Sequence, residues 1–108
     1  MQKRETTMQA LCEALMNDVY YAFSACVYLD ADGHVLHIWM FDTLFCWKSV
    51  ILPPKTHEVW LISHHPDGDM EPAEEDARHA AKIREQLGDC PLYTCIANEE
   101  FGCRCVAF

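Results

Sequence analysis

At 108 residues, with 51% hydrophobic and 23% charged residues, the chain has the size and composition of one folded domain and differs from disordered segments. Its net charge of −9 disfavours direct binding to nucleic acid or to an anionic membrane, because either would need a basic surface. No apolar run approaches the length of a membrane span, and the N-terminal residues contain no apolar signal core. We therefore expect a single cytoplasmic domain over residues 1–108.

The first predicted element is an amphipathic helix over about residues 7–22. Apolar residues from Met8 to Phe23 recur at the three- and four-residue spacing that builds one apolar stripe. Thr6, followed three positions later by Gln9, fits a capping box, which satisfies backbone donors at a helix start.

Four strand-like segments follow, at residues 24–29, 34–41, 44–52 and 57–63. The first two flank a short polar stretch that ends at Gly33, a residue able to adopt the left-handed conformation that closes a hairpin. The order of these segments predicts an antiparallel meander.

A second helix is predicted from Pro72 to Leu87, because proline suits a first helical turn and Gly88 suits the position just past a helix end. Its inward face is predicted to consist of Ala73, Ala77, Ala80, Ala81, Ile83 and Leu87. Two last strands follow, at 91–97 and 103–108. The resulting fold class is α+β in the order α-β-β-β-β-α-β-β, a mainly antiparallel sheet of about six strands packed with two helices.

The stretch SHHPDGDMEPAEED, residues 63–76, is the first candidate site. His64, His65, Asp67 and Asp69 offer nitrogen and oxygen ligands for a metal, but neighbouring residues on a strand point to opposite sides. Helix stability offers a plainer explanation for the acidic run, since carboxylates are favoured in a first helical turn. We expect no metal or other cofactor here. We expect the carboxylates to contact a partner instead, through Asp67, Asp69, Glu71, Glu74, Glu75 and Asp76.

Seven cysteines form the second candidate group, and an odd count cannot pair completely. Most lie in apolar runs, as free cysteines of a reducing compartment do. Cys90, Cys95, Cys103 and Cys105 offer four thiolates for a structural zinc ion, although their spacing lacks the compact pairs typical of such sites. Buried thiols are the favoured alternative, and no sequence pattern marks one cysteine as a catalytic nucleophile.

Tryptophans form the third group. Both faces of the second strand are largely apolar, and two helices would leave part of a six-stranded sheet uncovered. Either the sheet coils or carries one helix on each side, or Trp39, Trp47 or Trp60 contributes to a homodimer or partner interface.

Charge and surface together favour a non-enzymatic binding protein. Residues 67–89 hold eight acidic and three basic residues, so more than half of the net charge lies in this segment. The expected partner is a basic, nucleic-acid-binding protein or complex, whose phosphate-binding surface the carboxylates would occupy. Phage-encoded inhibitors such as anti-restriction and anti-CRISPR proteins work in this way, and the comparison rests on size and charge alone. The alternatives are a zinc-stabilised or cysteine-dependent module and a homodimeric structural domain.

Overall fold

The computed structural model describes residues 2–18, 22–41 and 53–106. Within these ranges the chain forms two helices and five strands around one sheet. In chain order they are α1 (Gln2–Asp18), β1 (Ser24–Leu29), β2 (Val35–Phe41), β3 (Glu58–His64), α2 (Glu74–Leu87), β4 (Leu92–Asn98) and β5 (Gly102–Cys105).

The sheet has the strand order β2-β1-β3-β4-β5. Strand β1 pairs antiparallel with β2 on one side and with β3 on the other. Strands β3 and β4 are parallel and are joined through α2, and β5 then returns antiparallel to β4. The carboxyl ends of β3 and β4 therefore lie at the same edge of the sheet as the first residue of β1, since Ser24 is opposite Ser63.

One helix covers each face of the sheet. On the first face, Met8, Cys12 and Met16 of α1 pack on alternate residues of the strands. On the second face, Ala80, Ile83 and Leu87 of α2 pack on the intervening residues. Helix α1 also packs against β5. Every residue of β1 and β3 is buried, because these strands are covered on both faces.

The α+β class, the two helices and the single sheet are confirmed, whereas the predicted strand number and order are corrected. The described residues contain five strands in the order α-β-β-β-α-β-β, and the predicted strand at 44–52 lies outside them. The predicted meander is wrong, because β1 lies between β2 and β3. In addition, β3 and β4 are parallel. One helix on each side is the arrangement that covers the sheet.

Helix α1 begins and ends earlier than predicted. It starts at Gln2, so Thr6 lies inside the helix and does not cap it. The residues before Thr6 are good helix formers without a breaker, and the helix extends through them. The predicted end at residue 22 is also too late, because Ala22 is no longer helical.

Helix α2 confirms the predicted end and corrects the predicted face. It begins after Ala73 and ends before Gly88, whose φ of 62° lies in the region that favours glycine. Its buried residues are Asp76, His79, Ala80, Ile83 and Leu87. Ala73, Ala77 and Ala81 are exposed, so the inner face contains Asp76 and His79 instead of these three alanines.

In the described residues, neither α1 nor α2 combines the length and the hydropathy that crossing a membrane would require.

Candidate functional site

A cavity of about 290 Å³ opens at the carboxyl end of β3. Open sheets with parallel strands bind ligands most often in the crevice beyond the carboxyl ends of those strands. Its walls come from the start of β1, from the connection between β3 and α2, and from the first turn of α2. We call residues 65–76, which supply most of the polar side chains, the acidic segment.

His65 fixes the acidic segment to the start of α2. Its Nδ1 lies 2.6 Å from the carbonyl oxygen of Asp69, and its Nε2 lies 2.8 Å from Oδ2 of Asp76. The same Asp76 oxygen accepts the backbone N–H of Ala73 at 2.8 Å, as in the reciprocal arm of a capping box. Both ring nitrogens of His65 face acceptors, so a ring that carries a proton on each nitrogen donates to both. Asn98 of β4 adds a third bond, from Nδ2 to the His65 carbonyl at 2.7 Å.

Two aspartates fold the segment locally. Oδ1 of Asp67 accepts the backbone N–H of Asp69, and Oδ1 of Asp69 accepts that of Glu71, each at 3.0 Å. These are Asx turns, in which a short side chain takes the place of a backbone acceptor. One oxygen of each aspartate therefore holds the loop, while the residue as a whole remains exposed.

The acidic residues differ in their access to a partner. Asp67, Asp69, Glu71 and Glu74 are exposed and Glu75 is half-buried, with its Oε1 3.9 Å from Nε2 of His79. Asp76 is only 6% exposed and is bonded to His65 and to the backbone. The structure therefore brings the predicted carboxylates to one edge of the sheet and removes Asp76 from the accessible set.

His64 contacts other residues than His65 does. It is buried, its ring lies 4.8 Å from that of Phe23, and its Nε2 contacts Oε1 of Glu99 in the turn between β4 and β5. The candidate metal ligands are therefore divided, because the two histidines bind different partners. The Glu99 contact brings the exposed Glu99 and Glu100 to the same edge of the sheet, a contribution that the sequence pattern did not reveal.

His79 of α2 is buried beside the same helix turn. Burial lowers the pKa of His79, and the neighbouring Arg78 acts in the same direction, while Glu75 and Asp76 oppose the shift. The neutral imidazole is therefore favoured at this position on the inner face of α2.

A second acidic group lies in the β1–β2 turn, where ligand atoms of Asp30, Asp32 and His34 are within 4.8 Å of one another. Oδ1 of Asp30 accepts the backbone N–H of Asp32 and that of His34, each at 2.9 Å. The bond from the His34 backbone is the main cause that lowers the pKa of Asp30. Turn formation explains this grouping.

The tryptophans are placed differently from one another. Trp60 is 2% exposed, stacks on Tyr93 with ring centroids 5.0 Å apart, and donates from Nε1 to Oε2 of Glu58 at 3.1 Å. Trp60 is therefore a core residue, and its predicted role as a partner contact at the surface is wrong. Trp39 is half-buried on the α2 face, and Trp47 lies outside the described residues.

The cysteines also regroup. Cys90 packs with the cluster on the α2 face, whereas Cys95 and Cys103 belong to the opposite face together with Cys12 of α1. The zinc alternative with these four cysteines is therefore contradicted, because the sheet separates Cys90 from the other three thiols. Cys12 was missed because it lies 83 residues before Cys95 in the sequence and has no ligand spacing to it.

Comparisons with protein-family models, with curated proteins and with solved structures each found no match to this chain.

Proposed function

We propose that this protein is a non-enzymatic binding protein that occupies a basic, nucleic-acid-binding surface of a partner through the carboxylates of the acidic segment. The observation that supports this function is the combination of exposed carboxylates with a hydrogen-bonded backbone. Asp67, Asp69, Glu71 and Glu74 are exposed, while the His65 ring and two Asx turns hold the loop that carries them.

A fixed loop favours this role because ordering a loop at an interface costs binding free energy. The acidic segment already has its two Asx turns, its internal hydrogen bond between His65 and Asp76, and its hydrogen bond from Asn98 before a partner arrives. The backbone that carries its carboxylates is thus held in one arrangement, and a matching set of cations gains more from it than from a flexible acidic tail.

The charge of the segment also supports the proposal. Residues 65–76 contain no Lys or Arg, and Glu99 and Glu100 add carboxylates at the same edge. Such a concentrated negative surface steers a basic partner during encounter, and the attraction weakens as salt screens it. Mimicry by consecutive helix residues is less favoured, since Asp76 is buried and Glu75 is half-buried.

An apolar contact at the same end of the sheet completes the proposed interface. Trp39 is opposite Cys26 in the β1–β2 pair, close to the Ser24 end that borders the cavity. Aromatic residues are enriched in protein interfaces, and a half-buried indole retains surface for such a contact. A reducing cytoplasmic compartment belongs to the same proposal, because the odd number of cysteines fits free thiols.

The test uses two variants that remove the same number of charges. The first changes the acidic segment by D67N, D69N, E71Q and E74Q, which keeps an acceptor oxygen for each Asx turn. The control changes exposed carboxylates elsewhere by E13Q, D32N, E85Q and D89N. Wild type and both variants are used for affinity capture from nuclease-treated lysate of the native host, and recovered partners are identified by mass.

The proposal expects a nucleic-acid-binding protein to be recovered by wild type and by the control variant, and to be lost with the acidic-segment variant. Binding of that partner should fall steeply as salt is raised, and the partner should lose its nucleic acid as this protein is added. Equal capture by both variants would refute the acidic surface as the contact. Recovery of the chain alone, with a dimer in sedimentation, would favour the homodimeric alternative.

A further inference from the structure

Four cysteines from three elements meet where α1 packs against β5, the last strand of the sheet. We call Cys12, Cys95, Cys103 and Cys105 the thiol cluster. Cys12 of α1 and Cys95 of β4 are buried, Cys103 of β5 is half-buried, and Cys105 is exposed. A cavity of about 290 Å³ reaches the cluster from solvent, and both cysteines of β5 contribute to its wall.

Cys95 and Cys105 are a directly contacting pair in this cluster. They are directly opposite each other on β4 and β5, and their Sγ atoms are 3.2 Å apart. The next residues along, Thr94 and Val106, are joined by a bond from the Val106 N–H to the Thr94 carbonyl. Since hydrogen-bonded and non-hydrogen-bonded pairs alternate in an antiparallel ladder, the cysteines form a non-hydrogen-bonded pair.

That register suits a covalent link between the two strands. Opposite residues of a non-hydrogen-bonded pair have Cα atoms about 4.5 Å apart. Disulfides join Cα atoms that are roughly 4.4 to 6.8 Å apart, so a Cys95–Cys105 bond needs no movement of the backbone. Cys105 meets solvent and Cys95 does not, so a reagent in solution reaches the pair from one end.

The third member of the cluster, Cys103, has a lowered pKa. Hydrogen bonds from Cys12 and then from Cys95 lower the pKa of Cys103 to about 4, although burial opposes the shift. The bond to Cys103 and burial in turn raise the pKa of Cys95 above its usual range. Cys26, by contrast, is buried beneath α2 and has its pKa raised to about 12 by burial.

A zinc ion fits this geometry poorly. Tetrahedral zinc needs sulfur atoms placed around one point at about 2.3 Å from the metal. In the described ranges no three cysteine sulfurs lie within 4.8 Å of one another, whereas the ligand atoms of Asp30, Asp32 and His34 do. The contacts instead run in series, from Cys12 to Cys103, then to Cys95 and to Cys105.

We propose that the thiol cluster is a thiol–disulfide exchange site, in which Cys95 and Cys105 form a reversible disulfide by reaction with a low-molecular-weight disulfide RSSR. The thiolate of Cys105 attacks one sulfur of RSSR. The S–S bond breaks, and RS⁻ leaves and takes up the proton that Cys105 released. Sγ of Cys95 then attacks Sγ of Cys105 and expels the second RS⁻. The Cys95 proton goes to that departing thiolate. The protein loses two electrons and two protons, and RSSR becomes two RSH.

Such a reaction is compatible with a reducing compartment, where disulfides are transient and serve redox sensing or catalysis. Cys103 acts as a positioning residue in this scheme, because its sulfur accepts a hydrogen bond from Cys95 and forms no bond in the product. The proposal stands apart from the acidic segment, which lies at the end of the sheet where β3 ends, and each can fail without the other.

The experiment treats the reduced full-length protein with glutathione disulfide, stops the reaction with acid, and measures the intact mass. Wild type should lose two hydrogen masses and keep no glutathione. Cleavage at Arg84 and Arg104 separates Cys105, on residues 105–108, from Cys95, on residues 85–104. The expected product links these two peptides, and further cleavage after Glu100 separates Cys95 from Cys103.

Single serine variants distinguish the steps. Cys95→Ser should accumulate a glutathione adduct on Cys105, because the second thiol is missing. Cys105→Ser, at an exposed edge position, should form neither the adduct there nor the linked peptides. Cys103→Ser should give the same disulfide with a shorter-lived mixed disulfide, because the Cys103 contact that raises the pKa of Cys95 is lost. Cys90→Ser is the matched control on the other face and should behave as wild type.

Several results would overturn the proposal. A persistent adduct on the wild-type protein, a disulfide mapped to another pair, or no reaction at Cys105 would each do so. The metal alternative is tested by adding one equivalent of Zn²⁺ before glutathione disulfide. The proposal expects the disulfide to form as before, whereas complete protection by one bound zinc would show a metal site instead.

Discussion

Asp76 holds the start of α2 and the preceding loop through a single oxygen atom. Its Oδ2 accepts bonds from the Ala73 backbone and from the His65 ring, in a largely buried position. A buried acceptor of this kind contributes more than an exposed carboxylate, because its removal leaves two donors without a partner. At the scale of single residues, this side chain therefore links the stability of α2 to the shape of the acidic segment.

We expect Asp76→Ala to lower the free energy of unfolding by about 1–3 kcal/mol, since it leaves two donors of part-buried hydrogen bonds without their acceptor. Glu74→Ala is the matched control in the same helical turn, where an exposed carboxylate interacting with the helix dipole contributes roughly 0.3–1 kcal/mol. Urea unfolding midpoints at pH 7 measure both changes. Equal losses in the two variants would contradict the anchoring role of Asp76.

The sequence could not separate Asp76 from its acidic neighbours. Glu74, Glu75 and Asp76 have the same charge and lie in the same predicted turn. What distinguishes Asp76 is its contact with His65, which depends on how the loop returns to the helix. The spacing of an acidic side chain three positions after Ala73 does fit one arm of a capping box, and it was the available clue.

At the scale of elements, α2 shows that alanines do not indicate which face of a helix is buried. Ala77, Ala80 and Ala81 are equally apolar in sequence, yet only Ala80 is buried. The larger side chains Ile83 and Leu87 fix the rotation of the helix, because they bury more surface. Asp76 and His79 then fall on the inner side and are accommodated through polar contacts.

Adjacent alanines allow a direct test of this rotation. Ala80→Lys places a charge in a position with no exposure and should cost about 3 kcal/mol or more, enough to threaten folding. Ala81→Lys is exposed and should change stability by less than about 0.5 kcal/mol. Thermal unfolding followed by circular dichroism reports both, and similar losses would mean that α2 is rotated differently.

The elements themselves were largely predictable, whereas their arrangement was not. Runs containing β-branched and aromatic residues marked β1 to β4, and Gly33 and Gly88 marked a turn and a helix end. Pairing depends on long-range packing, and the β3–α2–β4 crossover places parallel strands side by side. Both faces of β1 are apolar, which fitted a covered strand but did not name its neighbours.

At the scale of the whole molecule, β1 and β3 form a centre with no solvent-facing side. Each has a strand on both sides and a helix over each face, and all their residues are buried. Strand β5 is the contrasting case, since among the described strands it pairs with β4 alone and it ends in exposed residues. The sheet therefore decreases in cover from β3 toward β5.

This gradient predicts the pattern of amide hydrogen exchange. Amides of β1 and β3 should exchange only through global unfolding, whereas those of β5 should exchange sooner through local opening. Native-state exchange followed by NMR, on the reduced protein, measures the difference. Protection of β5 equal to that of β3 would contradict the gradient.

The packing of α1 against β5 has a consequence for synthesis on the ribosome. Met8, Cys12 and Met16 are translated well before Cys95, Ala97 and Cys103, which supply part of their cover. A nascent chain therefore exposes the apolar stripe of α1 until β4 and β5 have been synthesised. Contacts between distant parts of a sequence slow folding, so this helix is the region where we expect a chaperone to bind during that interval.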